Sequence, residues 1–212
     1  VAITFYYGSG SPFAWRVWLA LEYKSIAYEL KVLSFSAGDT RKPEYAALNP
    51  RHKVPVISGD GFTLYESAAI VEYLDEVKPQ PSLFPGDARQ RALVRRMVCE
   101  ADQYVDAAMS KLAGHVLFVQ PDEWDQTAIV TGRDGLLKEL AGWEHSLSGD
   151  FVAGPLSAAD FALYPMLAIA MRCEVKKPDL GLKAALPAKV AAWMGRIEAL
   201  PYFKKTWPPH WK

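Results

Sequence analysis

A chain of 212 residues is long enough for one large domain or two small ones. Half of it is hydrophobic and 23% is charged, the balance of a globular protein rather than a disordered or fibrous one. Lys plus Arg and Asp plus Glu both total 24, so no net field draws the chain to nucleic acid or an acidic membrane. In chain order, Ile3 to Tyr7 is a β-branched and aromatic run that ends at Gly8-Ser9-Gly10, a strand and a turn. Ser11-Pro12 announces a helix, with a hydroxyl at the N-cap and proline at the first helical position. That helix, Pro12 to Tyr23, carries Phe13, Val17, Ala20 and Leu21 on one stripe. Arg16, Glu22 and Lys24 lie off the stripe, where solvent or an ion pair suits them. Ala27 to Leu33 reads as a second strand, completing a strand-helix-strand unit. Ser34 to Thr40 is a polar loop, and Lys42 to Leu48 a short helix with Pro43 in its first turn.

The next stretch is the most informative. Val54-Pro55-Val56-Ile57 is a strand pattern that stops at Ser58-Gly59-Asp60-Gly61, and Phe62 to Tyr65 resumes it, which predicts a hairpin. Glu66 and Ser67 then stand where a helix begins, so a carboxylate, a hydroxyl and several backbone N–H groups share one helix N-terminus. Such a place suits a small ligand with both charge signs. Lys78-Pro79-Gln80-Pro81-Ser82 breaks helix and predicts a linker. Beyond Asp87 the pattern is helical throughout. One helix runs from Arg89 to about Val119, bent near Gly114, and another from Asp122 to Leu147, weakened by Gly132 and Gly135. Ser157 with Asp160 three residues on, and Leu156 with Phe161, open a nearly all-apolar helix from Ala158 to Met171. Leu186-Pro187 opens a last helix, to about Ala199.

Three motifs carry a family resemblance. Asn49-Pro50-x-x-Lys53-Val54-Pro55-Val56, followed by Leu64-x-Glu66-Ser67-x-Ala69-Ile70-x-x-Tyr73-Leu74, resembles the glutathione-binding half of soluble glutathione transferases. Ser11-Pro12-Phe13-x-x-Arg16-Val17 is similar to the active-site start of their serine-type classes, the tau, zeta and theta-like members. Gly154-x-x-Ser157-x-Ala159-Asp160 is similar to the motif that nucleates their helical domain. The resemblance implies an α/β plus all-α fold. It places an N-terminal thioredoxin-like βαβαββα domain at 1–78, a linker at 79–87 and an all-helical domain at 88–212.

It also implies a site. Val54, ahead of a cis proline, pairs its backbone with the cysteinyl part of glutathione. Glu66 holds the α-amino group, Ser67 the γ-glutamyl carboxylate, and Lys53 and Arg41 the glycine carboxylate, with His52 assisting or facing water. Phe13 belongs to the same site. Ser11 is the catalytic hydroxyl, donating a hydrogen bond to the thiolate. Tyr7 and Ser9 are its rivals, and of Tyr6 and Tyr7 one must face the core. The electrophile pocket draws on Gly10, Tyr104, Ala108, Met109 and Trp207, with Trp211 in the tail. A serine hydrolase reading fails, because no G-x-S-x-G elbow is present and no motif links the four histidines to Ser11.

The implied activity is conjugation of the glutathione thiolate to a small apolar electrophile. A glutathione-dependent isomerase of zeta type stands as the alternative, though Pro12-Phe13 departs from the Ser-Cys pair usual there, and so does a noncatalytic binding module. Glutathione is the cosubstrate, and no other cofactor, no metal, no nucleic acid and no membrane is expected. A homodimer is expected, with Arg91, Arg95 and Arg96 set against Glu72, Asp75 and Glu76 of a second copy. Cys99 and Cys173 form no metal or redox spacing and are expected to pack as small apolar groups in a reducing cytoplasm. No signal peptide and no membrane span is expected, since no apolar run approaches roughly 18 residues.

Overall fold

β1 (Ile3–Gly8), α1 (Pro12–Tyr23) and β2 (Tyr28–Leu33) open the chain as strand, helix and strand. The computed structural model describes residues 3–147 and 149–211. A 3₁₀ turn at Asp39–Arg41 and the single-turn α2 (Pro43–Ala46) follow, so the helix expected over Lys42 to Leu48 is shorter, and the 3₁₀ turn before it begins inside what reads as loop. β3 (Val56–Gly59), β4 (Phe62–Tyr65) and α3 (Ser67–Val77) complete the βαβαββα order. β1 is central, parallel to β2 and antiparallel to β3, and the sheet order is β2-β1-β3-β4. Phe5 and Tyr7 are fully buried from it, which fixes the alternation. β3 starts at Val56 rather than Val54, because Pro55 has no N–H to give a ladder. Asp60 and Gly61, with φ of 51° and 78°, make the two-residue turn to β4.

α1 lies against α3, and its buried face is wider than one stripe. Arg16 and Lys24, for which solvent or an ion pair is expected, are 1% and 0% exposed, and Lys24 takes the ion pair. Lys24 Nζ donates to Asp75 Oδ1 at 2.6 Å and to the Pro81 carbonyl at 2.7 Å. The same carboxylate accepts from the Leu83 N–H at 2.7 Å and the Ser82 hydroxyl at 3.3 Å. A buried charge is tolerable only with such partners. The Asp75 carboxylate is therefore engaged within its own chain. Arg91 likewise donates to the Gly86 carbonyl at 2.7 Å, and Arg95 stacks on Phe84.

The chain divides into two units, Val1–Leu83 with Pro201–Lys212, and Phe84–Leu200. In the second, α4 (Ala88–Glu100) begins with an Asp87–Gln90 capping box. α5 (Asp106–Val116) follows across a π-helical turn at Ala101–Val105. The expected bend at Gly114 is thus misplaced: one wide turn breaks the helix, and Gly114 sits within α5. α6 (Gln126–Ser146), capped by Asp125, is intact across its glycines. A Cβ at Gly132 would lie 3.1 Å from Leu112 Cα, so this glycine serves the close crossing of α5 and α6 rather than a break.

α7 (Ala158–Lys176) is buried along most of its length and carries the predicted Ser157–Asp160 capping box. It runs past Met171 to Lys176, then gives way to α8 (Leu182–Ala185) and α9 (Ala188–Glu198). α9 starts two residues later than expected because Leu186, preceding a proline, and Pro187 are extended. Cys173 is buried, and burial pushes its thiol up to about 12. Cys99, expected to be packed, is exposed.

The tail departs from the division at 88–212. It groups with the first unit because α10 (Phe203–Thr206) and the residues after it pack on α1. Trp15 Nε1 donates to Thr206 Oγ1 at 3.0 Å, and the Trp15 ring meets Trp207 and Trp211 edge-on at 5.6 and 5.5 Å. Among the described residues no helix is long and apolar enough to cross a membrane.

Candidate active site

β1 ends at Gly8, and the chain must reverse into α1 within three residues. Gly10 takes a φ of 86°, a left-handed value that glycine adopts without a Cβ clash. The Ser11 N–H donates back to the Gly8 carbonyl at 3.0 Å and closes the turn. Ser11 is then the N-cap of α1, with extended backbone and Pro12 directly after it. Its Oγ accepts from the Ala14 N–H at 3.3 Å. With an acceptor site so used, the hydroxyl proton is free to be donated outward, at the positive end of the helix dipole.

The rival hydroxyls separate on burial. Tyr7 is fully buried, and its Oη accepts from the Gly10 N–H at 3.4 Å. Burial holds its phenol above the ordinary value, against a lowering from the Gly10 and Ser9 hydrogen bonds. Tyr7 is therefore the inward member of the pair. Tyr6 is half-buried, edge-on to Tyr45 with Lys31 over its ring. Ser9 is half-buried, and its Oγ lies 2.5 Å from His210 Nδ1.

Phe13, Asn49, Lys53, Val54, Pro55, Glu66 and Ser67 line one cavity of about 110 Å³. Five of these, Phe13, Lys53, Val54, Glu66 and Ser67, are residues expected to hold the ligand; Asn49 and Pro55, from the same motif, join them. The Val54–Pro55 peptide bond is cis. The loop before it is tied down at the Lys53 carbonyl, which accepts from Tyr45 Oη at 2.7 Å and Asn49 Nδ2 at 2.8 Å. Asn49 Oδ1 in turn accepts from the Arg51 N–H at 3.0 Å. Buried Asn49 is thus the post on which this loop turns, a role its place in the Asn-Pro motif did not specify. Guanidinium Arg16 stacks on the Phe13 ring at 5.5 Å and sets that wall of the cavity.

Glu66 holds φ 71° and ψ 108°, a conformation costly for a residue with a Cβ, by roughly 1–3 kcal/mol. Its carbonyl accepts from the Ile70 N–H at 2.9 Å, so the strained residue is the first link of α3. The carboxylate is exposed, and Ser67 beside it is 6% exposed. Charge, hydroxyl and the helix's free N–H groups converge here, as an ammonium-carboxylate ligand requires.

Ser11 and Arg41 are not part of the cavity lining. Arg41 sits exposed in the 3₁₀ turn, and His52 Nδ1 lies 2.9 Å from the Thr40 carbonyl beside it. In the helical unit, Tyr104 is 56% exposed and lines a groove with Arg96, Glu100 and Glu139. Ala108 is half-buried, whereas Met109, expected as a pocket wall, is only 3% exposed and belongs to the unit's interior. Trp207 is 39% exposed and donates from Nε1 to the Trp211 carbonyl at 3.0 Å. Among the described residues there is no cluster of three or more side chains able to hold a metal ion.

Residues 10–77 match the sequence model of the glutathione S-transferase N-terminal domain. Over 99% of the chain and 92% of the relative's length, the sequence is 31% identical to glutathione S-transferase A of Pleuronectes platessa. It is 37% identical to the probable maleylacetoacetate isomerase 1 of Drosophila melanogaster, over 76% of the chain and 66% of that protein. The crystal structure of a glutathione S-transferase from the Antarctic clam Laternula elliptica superposes with a TM-score of 0.86, at 32% identity, over all of this chain and 94% of that one.

Proposed function

The chain belongs to the glutathione S-transferase family, and from that membership we propose that it ionises the thiol of glutathione and adds it to a small apolar electrophile. The observation that carries the reading is the single cavity that gathers Phe13, Lys53, Val54, Glu66 and Ser67 in the unit whose first helix is capped by Ser11. Glu66 takes the ligand's α-ammonium, Ser67 its neighbouring carboxylate, the Val54 backbone its cysteinyl amide and Lys53 its glycine carboxylate, with Arg41 assisting from outside the lining. A free thiol has a pKa of about 8.5, so at neutral pH only a few per cent is ionised. Lowering it by about two units takes roughly 2.7 kcal/mol of preference for the thiolate. Ser11 supplies part of this by donating a hydrogen bond from its hydroxyl to the thiolate sulfur, and the N-terminus of α1 supplies more. Serine is not the nucleophile; the cosubstrate's sulfur is.

Ser11→Ala tests the assignment. Glutathione affinity should change little, while the bound thiol's pKa rises towards its free value. The rate with a model aryl halide at neutral pH should fall by roughly ten- to a hundredfold, at about 1.4 kcal/mol per pKa unit. Raising the pH should recover much of that loss. Tyr7→Phe tests the rival: its buried hydroxyl holds the turn through the Gly10 N–H, so this variant should lose less than Ser11→Ala. Parental rate and thiol pKa in Ser11→Ala would mean the wrong hydroxyl has been named.

A second reading is favoured by the 37% identity to a protein named as a probable maleylacetoacetate isomerase. The same thiolate can add to a conjugated cis double bond, allow rotation about the resulting single bond, and leave again. Turnover of maleylacetoacetate set beside turnover of the aryl halide separates the two.

The family also supports a two-fold dimer as the working state. Sedimentation at micromolar concentration should give a species of twice the chain mass. A species of one chain's mass would end this reading.

A further inference from the structure

We propose that His210 is a positioning residue of the thiol site: through Ser9 it braces the turn that presents the Ser11 hydroxyl. The inference rests on the function proposed above.

Within the turn from Gly8 to Ser11 the backbone bond from the Ser11 N–H to the Gly8 carbonyl closes the chain on itself. Gly10 is at its centre, and the Ser11 cap is a single hydrogen bond of 3.3 Å. From inside, the turn is held by Tyr7 Oη on the Gly10 N–H. From outside it is held by a residue 201 positions away, since Ser9 Oγ and His210 Nδ1 are 2.5 Å apart. A Cβ on Gly10 would lie 3.0 Å from His210 Cε1, so the imidazole also packs directly on the turn.

His210 is itself fixed to the helix that Ser11 caps. Trp211, 7% exposed, stands edge-on to Trp15 of α1. Its Nε1 donates to His210 Nε2 at 3.1 Å. In the neutral ring that leaves the proton on Nδ1, so Nδ1–H donates to Ser9 Oγ. The hydroxyl proton of Ser9 must then point away from His210. Trp207 Nε1 on the Trp211 carbonyl and Trp15 Nε1 on Thr206 Oγ1 lock the tail to α1 in the same register. Turn, tail and helix form one closed loop of contacts, and the Ser11 hydroxyl sits where the turn enters the helix. A donor displaced by a fraction of an ångström from sulfur loses much of its effect.

The test reads the pKa of glutathione's thiol on the protein, from thiolate absorbance against pH, together with kcat and KM. His210→Ala should raise that pKa by about half a unit to one unit and lower kcat at pH 6.5 by about three- to tenfold. KM for glutathione should stay within about twofold of the parent, because Val54, Glu66 and Ser67 are untouched. His210→Asn sets an amide N–H where Nδ1–H was and should restore most of the loss. His210→Gln, whose amide reaches instead to the Nε2 position, should not. Ser9→Ala should reproduce the loss, and combining it with His210→Ala should add little, as for two ends of one contact. Parental thiol pKa and kcat in His210→Ala overturn the proposal. So do equal behaviour of the Asn and Gln variants, additive loss in the double variant, or a loss of glutathione binding that follows a fallen melting temperature. If the parent protein neither binds glutathione nor ionises its thiol, the proposed function fails first, and the brace falls with it before any variant is compared.

Discussion

Asp160→Ala should destabilise the helical unit by about 3–5 kcal/mol, a large share of the roughly 5–15 kcal/mol that keeps a typical domain folded. The carboxylate is fully buried. It accepts from the Val152 N–H at 3.0 Å, the Ser157 N–H at 2.8 Å, the Ser157 hydroxyl at 3.1 Å and Trp193 Nε1 at 2.8 Å. Alanine strands donors on a loop, a helix cap and a second helix at once, and each buried donor left without an acceptor costs about 1–3 kcal/mol. Burial pushes the carboxyl up to about 6 from 3.8, and the donors pull it the other way without overcoming this. A folded pKa above the unfolded one means the group's stabilising share is complete below about pH 4 and is lost as pH rises through 6. The stability gap between the parent and Asp160→Asn should accordingly widen from pH 7 to pH 5. Urea melts at the two pH values check both statements; an alanine variant with a parental midpoint would remove Asp160 from the centre of this unit.

The capping box around Asp160 was legible because its information is local: Ser157 and Asp160 are three residues apart, and the apolar run follows at once. The same holds for Ser11-Pro12, for the Asp60-Gly61 turn and for the Glu66-Ser67 start of α3, where spacing and side-chain chemistry decide the geometry. What the sequence hid is whatever depends on distant chain. For Arg16 and Lys24 the pattern leaves solvent or an ion pair open, because Asp75 and Pro81, which satisfy Lys24, lie beyond reach of any helical pattern. The π-helical turn at Ala101–Val105 has no glycine or proline to announce it, whereas Gly114 sits within α5 without a break and Gly132 serves a close helix crossing. His210 is bracketed by tryptophans at 207 and 211, a sign that the segment packs. Nothing local says that it returns to the first turn of the fold.

Glu66→Ala should weaken glutathione binding by about 2–5 kcal/mol while leaving the fold intact. In the complex proposed here the ligand's ammonium is drawn out of water against this carboxylate, and alanine leaves it there without a counter-charge. The loss should fall on affinity, in contrast to Ser11→Ala, whose loss falls on the thiol's pKa and on kcat. The backbone must be separated from the charge, because Glu66 sits at φ 71° and ψ 108°. Alanine shares the Cβ and hence the strain, so its effect isolates the carboxylate. Glu66→Gly would relieve the strain and stabilise the unit slightly, by up to about 1 kcal/mol, yet bind as weakly as the alanine variant. Glu66→Gln keeps shape and one acceptor oxygen but not the charge, and should fall between parent and alanine. Calorimetric titration of glutathione into the three variants reads this order directly. Parental affinity in Glu66→Ala would detach the α-ammonium from Glu66. A glycine variant that regained affinity would show that the strained backbone, not the carboxylate, is what the ligand meets.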